Sequence, residues 1–312
     1  MKYIVKKFTA LILTLLLVSF FTFITFQVIP GDSAVASLGT SATKEAIEAL
    51  REELGLNKNI FVRYVSWLGN ALQGDFGTSS QFGMPVSNLI KDRMPVTLWL
   101  AVLSIVFILI LSIPLGIESA KKEGGLSDRL ITLLTHTAMA IPPFFLGIII
   151  TLLFGLVLKW FTPGKYVGFK ENFGQFIGYL IYPAIAIAIP KIAMVVKFLR
   201  SSLIRQLKMD YVRTARSKGN QENVILYRHV LKNAFIPVIT FIAMVFADVL
   251  AGSIIIEQVF GLPGMGRMLV TAISNRDFSV VQAIVLYIAA VVILINFIVD
   301  ILYQRIDPRV RP

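Results

Sequence analysis

Residues 96–117 read VTLWLAVLSIVFILILSIPLGI, an apolar run that contains no charged side chain. An α-helix rises about 1.5 Å per residue, so about 20 such residues cross the roughly 30 Å hydrocarbon core of a bilayer. The run therefore predicts a transmembrane helix. Five further stretches of the same kind predict five more spans, at Phe8–Ile29, Leu130–Leu158, Phe176–Leu199, Ala234–Ile256 and Val280–Tyr303.

The composition agrees with a membrane protein. Hydrophobic residues make up 56% of the chain and charged residues 15%, against about 25% charged residues in soluble domains. The net charge of +12 suits basic loops held against anionic lipid better than it suits nucleic acid. The chain has no cysteine and only two histidines, which excludes disulfides and cysteine metal sites and leaves little for a histidine cluster.

The first apolar run has two interpretations. Three lysines, Lys2, Lys6 and Lys7, precede it, and Ala34–Ala36 resembles a signal-peptidase site. However, the apolar region of a signal peptide is about 7–15 residues long, and this run is longer. We therefore predict a retained span.

The basic residues predict the orientation. If the N-terminus is cytoplasmic, the inside segments hold eighteen Lys and Arg and the outside segments eleven, six of which lie in the long 31–95 segment, where the positive-inside rule is weak. Both termini are therefore predicted to be cytoplasmic. Within 31–95, a helix start at Ser41–Glu45 and a break at Gly55 predict one or two short external helices.

Residues 200–235, between the fourth and fifth spans, form a basic connection that is longer than most hairpins need. Helical spacing up to a break at Gly219, and a second short helix at about 221–230, indicate a docking element for another protein. A lipid-surface segment whose basic residues meet headgroups is equally compatible with the residues alone. The apolar positions of the first helix are Leu203, Ile204, Leu207, Tyr211, Val212 and Ala215.

Lys191 and Asp248 are ionisable residues inside predicted spans and are candidates for lining a pathway. Asp248 lies in the fifth span, where a structural pairing with a neighbouring helix is the other interpretation. Lys191 interrupts the fourth span after Pro190 and marks a helix break or a snorkelling side chain. Gly252 and Ser253 are further pathway candidates, although close helix packing also explains them. The prolines Pro142, Pro143, Pro190 and Pro237 predict helix breaks or kinks.

The residues also argue against two other classes of membrane protein. A membrane enzyme needs paired carboxylates, a nucleophile with its base, or a metal motif, and the sequence shows no such set. A stand-alone channel or secondary transporter favours an internal repeat, and none is evident. The segment 261–266 is rich in glycine, but it fits a turn-rich loop better than a nucleotide-binding loop.

Two motifs in the 200–235 connection carry a family resemblance. Residues 210–219 read DYVRTARSKG and residues 228–234 read RHVLKNA. They resemble the cytoplasmic loop of ABC importer permeases, in the first permease subunit of the oligopeptide, dipeptide and nickel branch. Residues 213–215 stand where the family has Glu-Ala-Ala, Gly219 is in register, and residues 229–232 stand where it has Ile-x-Leu-Pro. Further matches in the same order are Ile29–Asp32, Leu50–Leu56, Tyr64–Gly69, Gly74–Ser79, Pro95–Leu98, Gly252–Glu257, Val259–Arg267, Asn275–Asp277 and Val281–Gln282.

The resemblance implies a fold and an organisation. The fold is an all-α integral membrane protein with six transmembrane helices, like a type I ABC importer permease, with short external helices after the first span. Residues 1–95 would hold the first span and the external helices. Residues 96–312 would form a five-helix permease core with the coupling loop at 200–235. The location would be the cell membrane of a bacterium or archaeon.

The resemblance also implies a function and partners. This chain would form half of a pathway for di- or oligopeptides, with nickel, a metal chelate or an opine as the alternative cargo. The implied partners are a second homologous permease, two ATPase subunits that hold ATP and Mg²⁺, an extracytoplasmic binding protein and membrane lipid. For this chain itself the resemblance implies no catalysis, cofactor, metal or nucleic acid.

The same resemblance implies roles for individual residues of the loop. The loop would insert into a groove on the ATPase, with apolar side chains in the groove and basic side chains pairing at its rim. Gly219 would allow the sharp turn. The implied coupling residues are Arg213, Ala215, Lys218, Gly219, Val224, Ile225, Tyr227 and Arg228.

Overall fold

The computed structural model describes residues 2–28, 43–53 and 58–306, which are almost entirely helical. Within these ranges the one β-type pairing is an isolated bridge between Thr78 and Pro85. The helices are α1 Lys2–Val28, α2 Lys44–Glu53, α3 Ile60–Leu72, α4 Val86–Lys121, α5 Leu126–Ala140, α6 Pro143–Val157, α7 Phe173–Leu207, α8 Asp210–Ser217, α9 Glu222–Phe260, α10 Met265–Ser274 and α11 Phe278–Ile306.

Five of these helices, α1, α4, α7, α9 and α11, are long and apolar enough to cross a membrane. They correspond to the first, second, fourth, fifth and sixth predicted spans. One or two short helices are predicted after the first span, and two are present, α2 and α3. Several predicted features lie outside the described residues: the motif at 29–32, the sequence at 34–36, the break at Gly55 and the C-terminal residues 307–312.

The third predicted span, Leu130–Leu158, is not one straight helix. It is divided into α5 and α6, whose axes differ by 95°, so the chain has six crossings only if this bent pair counts as one. Pro142 and Pro143 explain the division, because proline forces the residue before it out of the helical conformation. Ile141 is extended accordingly, with φ −92° and ψ 121°.

Two other prolines do not break their helices. Pro190 lies inside α7, and Pro237 lies inside α9. The predicted break beside Lys191 is therefore wrong. Transmembrane helices tolerate internal proline where neighbouring groups satisfy the freed carbonyl.

The chain divides into two compact units. The first comprises residues 1–96 and 263–294, and the second comprises 97–262 and 295–312. The sequential division predicted at residue 95 remains a prediction.

In the first unit, α3 is fixed to α1 by an aromatic contact. The hydroxyls of Ser19 and Tyr64 lie 2.8 Å apart, and the Tyr64 hydroxyl also donates to the Leu16 carbonyl at 3.2 Å. The ring of Phe23 packs against Tyr64 and Trp67, with centroids 5.6 and 5.8 Å away. Aromatic residues with one polar end are typical of a membrane interface.

The first unit also joins two motifs that are 198 residues apart in sequence. The Ser79 hydroxyl donates to the Asp277 carboxylate, and the backbone N–H of Gln81 donates to the same oxygen at 3.3 Å. The other carboxylate oxygen lies 3.5 Å from the N–H of Val280, in the first turn of α11. Asp277, which is 1% exposed, therefore caps α11 and holds the segment before α4.

We expect Asp277→Ala to lower the free energy of unfolding by about 2 kcal/mol, because it removes a helix cap and leaves buried donors without an acceptor. Asp75→Ala is the matched control. Asp75 also accepts a backbone N–H, from Gly77 at 2.9 Å, but it is exposed. Denaturant titration of the purified protein in detergent measures both variants. Equal losses in the two variants would contradict the capping role of Asp277.

In the second unit, α7 packs against α5, α6 and α9. The hydroxyl of Ser202 donates to the Ala234 carbonyl at 2.9 Å, and the rings of Phe198 and Phe241 stack with centroids 4.3 Å apart. Position 202 pairs with 234 and position 198 with 241, so α7 and α9 run antiparallel. This long seam between α7 and α9 ends in the 200–235 connection.

At the other end of α9, two more motifs meet. The Thr97 hydroxyl donates to the Glu257 carboxylate at 2.6 Å, and both side chains are buried. Gly261 ends the helix with φ +67°, a left-handed conformation that glycine adopts without strain. The contact joins the start of α4 to the end of α9.

Candidate functional site

The 200–235 connection contains one short helix, α8, between two long ones. After α7 ends at Leu207, Met209 is extended, with φ −77° and ψ 152°, and α8 begins at Asp210. The spacing of residues 203–215 predicts one helix, whereas the structure interrupts it at residues 208–209. The second predicted short helix forms the first turns of α9, which include a π-helical segment at Ile225–Val230.

A sharp turn at Gly219 follows α8. Gly219 has φ +76°, and the backbone N–H and side-chain amide of Asn220 both donate to the Ala215 carbonyl, at 3.3 and 3.1 Å. Across the turn, the Arg216 guanidinium donates two hydrogen bonds to the Glu222 carboxylate, at 2.7 and 3.1 Å. This pairing raises the pKa of Arg216. The turn is thereby held by a bidentate link as well as by backbone bonds.

The inner face of α8 packs on the ends of three long helices. Val212 and Ala215 of α8 are buried, as is Ile225 in the first turns of α9. The short helix α8 is therefore packed into the same cluster as the ends of α4, α7 and α9. The buried members of this coupling cluster are Ile117, Ala120, Leu199, Leu203, Val212, Ala215, Ile225, Leu226, Val230, Ala234 and Val238.

The outer face of the connection carries most of the predicted coupling residues. Tyr227 is 54% exposed and Val224 is 38% exposed. The remaining outward residues of the predicted set are Arg213, Lys218, Gly219 and Arg228. The outer face therefore presents an aromatic and an aliphatic side chain among basic ones, a combination that suits an apolar groove with an acidic rim.

Two members of the predicted set face inward instead. Ile225 has no exposed surface and belongs to the coupling cluster, so the expectation that it fills a partner's groove is wrong. Ala215 is also buried there, and its small side chain lets α8 approach the long helices. These two residues hold the connection in place, and the outward residues are the ones available to a partner.

A buried charged network supports the same region, and sequence reasoning missed it. The Asp128 carboxylate accepts bonds from Arg200 Nε at 2.6 Å and Nη2 at 2.8 Å, from the Ser119 hydroxyl at 2.5 Å and from the Gly124 N–H at 2.9 Å. Asp128 is 4% exposed. The network ties the turn between α4 and α5 to α7, immediately beside the coupling cluster.

The predicted pathway residues Lys191 and Asp248 form an ion pair. Lys191 Nζ lies 2.9 Å from Asp248 Oδ2, and their side chains are 17% and 52% exposed. Both lie far from the ends of α7 and α9, so the structure brings together two residues that the sequence flagged separately. The pairing of Asp248 with a neighbouring helix is confirmed, and its role in lining a pathway stays a prediction.

The two small pathway candidates differ from each other. Ser253 is fully buried and its hydroxyl donates to the Leu250 carbonyl at 2.7 Å, so it lines no surface of this chain. Gly252 is partly exposed, and no atom of the described residues lies within 4 Å of where a Cβ would stand. Close packing within this chain therefore does not explain Gly252.

Comparisons with known proteins agree along the whole chain. Residues 112–312 match the family described as binding-protein-dependent transport system inner membrane component, and residues 1–101 match the N-terminal membrane component of such systems. The probable peptide ABC transporter permease y4tP of Sinorhizobium fredii is 34% identical, over 99% of each chain. The oligopeptide permease AppB of Bacillus subtilis is 37% identical, over 99% of this chain and 98% of its own.

One more relative and one solved structure complete the comparison. The glutathione permease GsiC of Salmonella typhimurium is 36% identical, over 100% of this chain and 99% of its own. An inward-facing MetNI methionine ABC transporter structure has the same fold, with a TM-score of 0.56 at 17% identity over 70% of this chain and 96% of that one. The chain therefore belongs to the family of binding-protein-dependent transport system inner membrane components, and it is a permease subunit of an ABC importer.

Proposed function

We propose that this permease forms half of the translocation pathway for di- or oligopeptides, which an external binding protein delivers. Relatives over nearly the full length are named for peptide, oligopeptide and glutathione transport. A second homologous permease forms the other half. The chain itself performs no catalysis and binds no cofactor, because two partner ATPase subunits bind ATP and Mg²⁺ and carry out the hydrolysis.

The outer face of the 200–235 connection is the docking site for an ATPase subunit. The observation that carries this proposal is that one face of the connection is buried and the other is exposed. Ile225 and Val212 are fully buried in the coupling cluster, whereas Tyr227 projects outward among basic side chains. A short helix held in this way transmits a push from its outer face directly to three long helices, since packed interiors deform little.

The proposed orientation follows from the same docking role. The 200–235 connection and both termini lie on the cytoplasmic side, which agrees with the eighteen basic residues of the inside segments against eleven outside. The opposite ends of the spans, together with α2 and α3, then face the binding protein. The whole assembly resides in the cell membrane of a bacterium or archaeon.

The test is transport by the complete assembly in lipid vesicles. Both permeases, both ATPases and the binding protein are reconstituted, and labelled peptides are supplied on the binding-protein side. We expect ATP-dependent uptake that disappears when the binding protein is left out. Uptake of a nickel chelate or an opine but of no peptide would contradict the peptide cargo, while leaving the importer class intact.

A further inference from the structure

A cavity of about 360 Å³ lies along the seam between α7 and α9, with α5 at one side. Its wall is mainly apolar. The stacked rings of Phe198 and Phe241 form part of it, and Met139 and Met194 form another part. Methionine side chains are flexible and polarisable, so they adapt to guests of different shape. The cavity therefore suits a variable apolar group.

Two cations line the same cavity. Lys197 and Arg205 are both exposed, and neither has an ion-pair partner among the residues that the structure describes. Their position beside an apolar wall defines a ligand with a negatively charged head and an apolar body. A carboxylate or a phosphate meets this description.

The surroundings of the seam indicate which kind of anionic group the cavity would bind. Positions 191, 194, 198, 201 and 205 of α7 follow each other at three- and four-residue intervals and so share one face. The Lys191–Asp248 pair lies on this face, and the Asp248 side chain is 52% exposed. A half-exposed carboxylate in mid-span is costly against hydrocarbon. The seam therefore points away from the hydrocarbon, which favours transported cargo over a lipid tail.

From these observations we infer that the cavity binds the C-terminal residue of a peptide in transit. The free carboxylate pairs with Lys197 and Arg205, and the terminal side chain packs against Phe198, Phe241 and the methionines. This inference rests on the proposed peptide cargo. The volume is at the low end of the range for small-molecule sites, about 300–1,000 Å³, so it holds one or two residues and leaves the rest of the peptide in the pathway.

The test compares the dipeptide Ala-Phe with its C-terminal amide in vesicles that contain the complete transporter. Uptake is measured at equal occupancy of the binding protein. We expect the wild type to prefer the free acid about tenfold, the equivalent of one charge-assisted hydrogen bond. The double variant Lys197→Gln with Arg205→Gln is expected to reduce this preference to within about twofold. Because the preference is a ratio within one preparation, a lower amount of assembled transporter does not change it.

We expect two control variants to keep the preference for the free acid over the amide. Lys197→Arg with Arg205→Lys retains both charges in the cavity. Arg129→Gln removes an exposed charge of α5 that does not line the cavity. A tenfold preference that persists in the Gln double variant would overturn the inference and leave the peptide cargo standing.

Two further outcomes would also overturn the inference. If the wild type imports neither peptide while the binding protein is loaded, the proposed peptide cargo falls and the inference falls with it. If the Gln double variant loses its preference only in vesicles that contain an anionic phospholipid, the two cations bind a lipid headgroup instead. Loss of preference in purely zwitterionic vesicles supports the peptide carboxylate.

Discussion

Arg200→Met is expected to lower the free energy of unfolding by about 3 kcal/mol. The change leaves the Asp128 carboxylate almost completely buried without its two charged hydrogen bonds, while Ser119 and Gly124 still donate to it. Breaking one side of a buried ion pair typically costs about 3–5 kcal/mol. The lower end applies because the Arg200 side chain is 28% exposed.

Lys208→Met is the matched control, since it removes an ion pair near the same helix end. Lys208 Nζ and Glu123 Oε1 are 3.8 Å apart and both side chains are well exposed, so we expect a loss below about 1 kcal/mol. Adding Asp128→Asn to Arg200→Met is expected to recover part of the stability, because no buried charge remains. Denaturant titration in detergent measures all three variants. A loss in Arg200→Met no larger than the loss in Lys208→Met would show that the network carries little energy.

Gly219→Asp is expected to reduce the ATPase activity stimulated by loaded binding protein at least tenfold, with little change in folding. The backbone at Gly219 has φ +76°, and no neighbouring atom of residues 2–28, 43–53 or 58–306 lies within 4 Å of an added Cβ. The folding cost is therefore only the left-handed backbone, about 1 kcal/mol for a residue that adopts it. The new carboxylate lies beside the Arg216–Glu222 link. On the proposed docking face it would meet the proposed acidic rim of the ATPase groove, and like charges placed together cost several kcal/mol.

Gly219→Asn separates charge from backbone in this experiment. Asparagine has nearly the shape of aspartate and also tolerates the left-handed conformation, so its folding cost is similar. We expect it to keep most of the stimulated activity. The coupling role would be wrong if the Asp variant remained fully stimulated, and the electrostatic explanation would be wrong if both variants lost activity equally.

The sequence predicts the parts of this fold that depend on local periodicity. Long apolar runs such as residues 96–117 predict the single-helix spans, because their length alone meets the thickness of a bilayer. Pro142 and Pro143 indicate a break, but their chemistry does not set its angle, and the 95° bend depends on how α5 and α6 pack. The prolines within α7 and α9 show the converse, since packing keeps those helices continuous.

Contacts between distant residues were not predictable in the same way. Asp128 and Arg200 are separated by 72 residues, and each resembles an ordinary loop or helix-end charge in the sequence. Lys191 and Asp248 attracted attention because charges in spans are rare, yet nothing local pairs them. Ile225 was grouped with Val224 and Tyr227 as a groove-filling residue, whereas its side chain is fully buried in the coupling cluster.

The π-helical segment Ile225–Val230 sets the rotation of everything that follows it in α9. Its i to i+5 bonds hold one residue more per turn than an α-helix does. Removing one residue would turn the downstream helix by about 100°, carrying Phe241 away from Phe198 and Asp248 away from Lys191, with the turn at Gly219 undisturbed. The number of residues in this wide turn thus sets the angular register between the 200–235 connection and the seam of α7 and α9, while Ile225, Leu226 and Val230 within it pack in the coupling cluster.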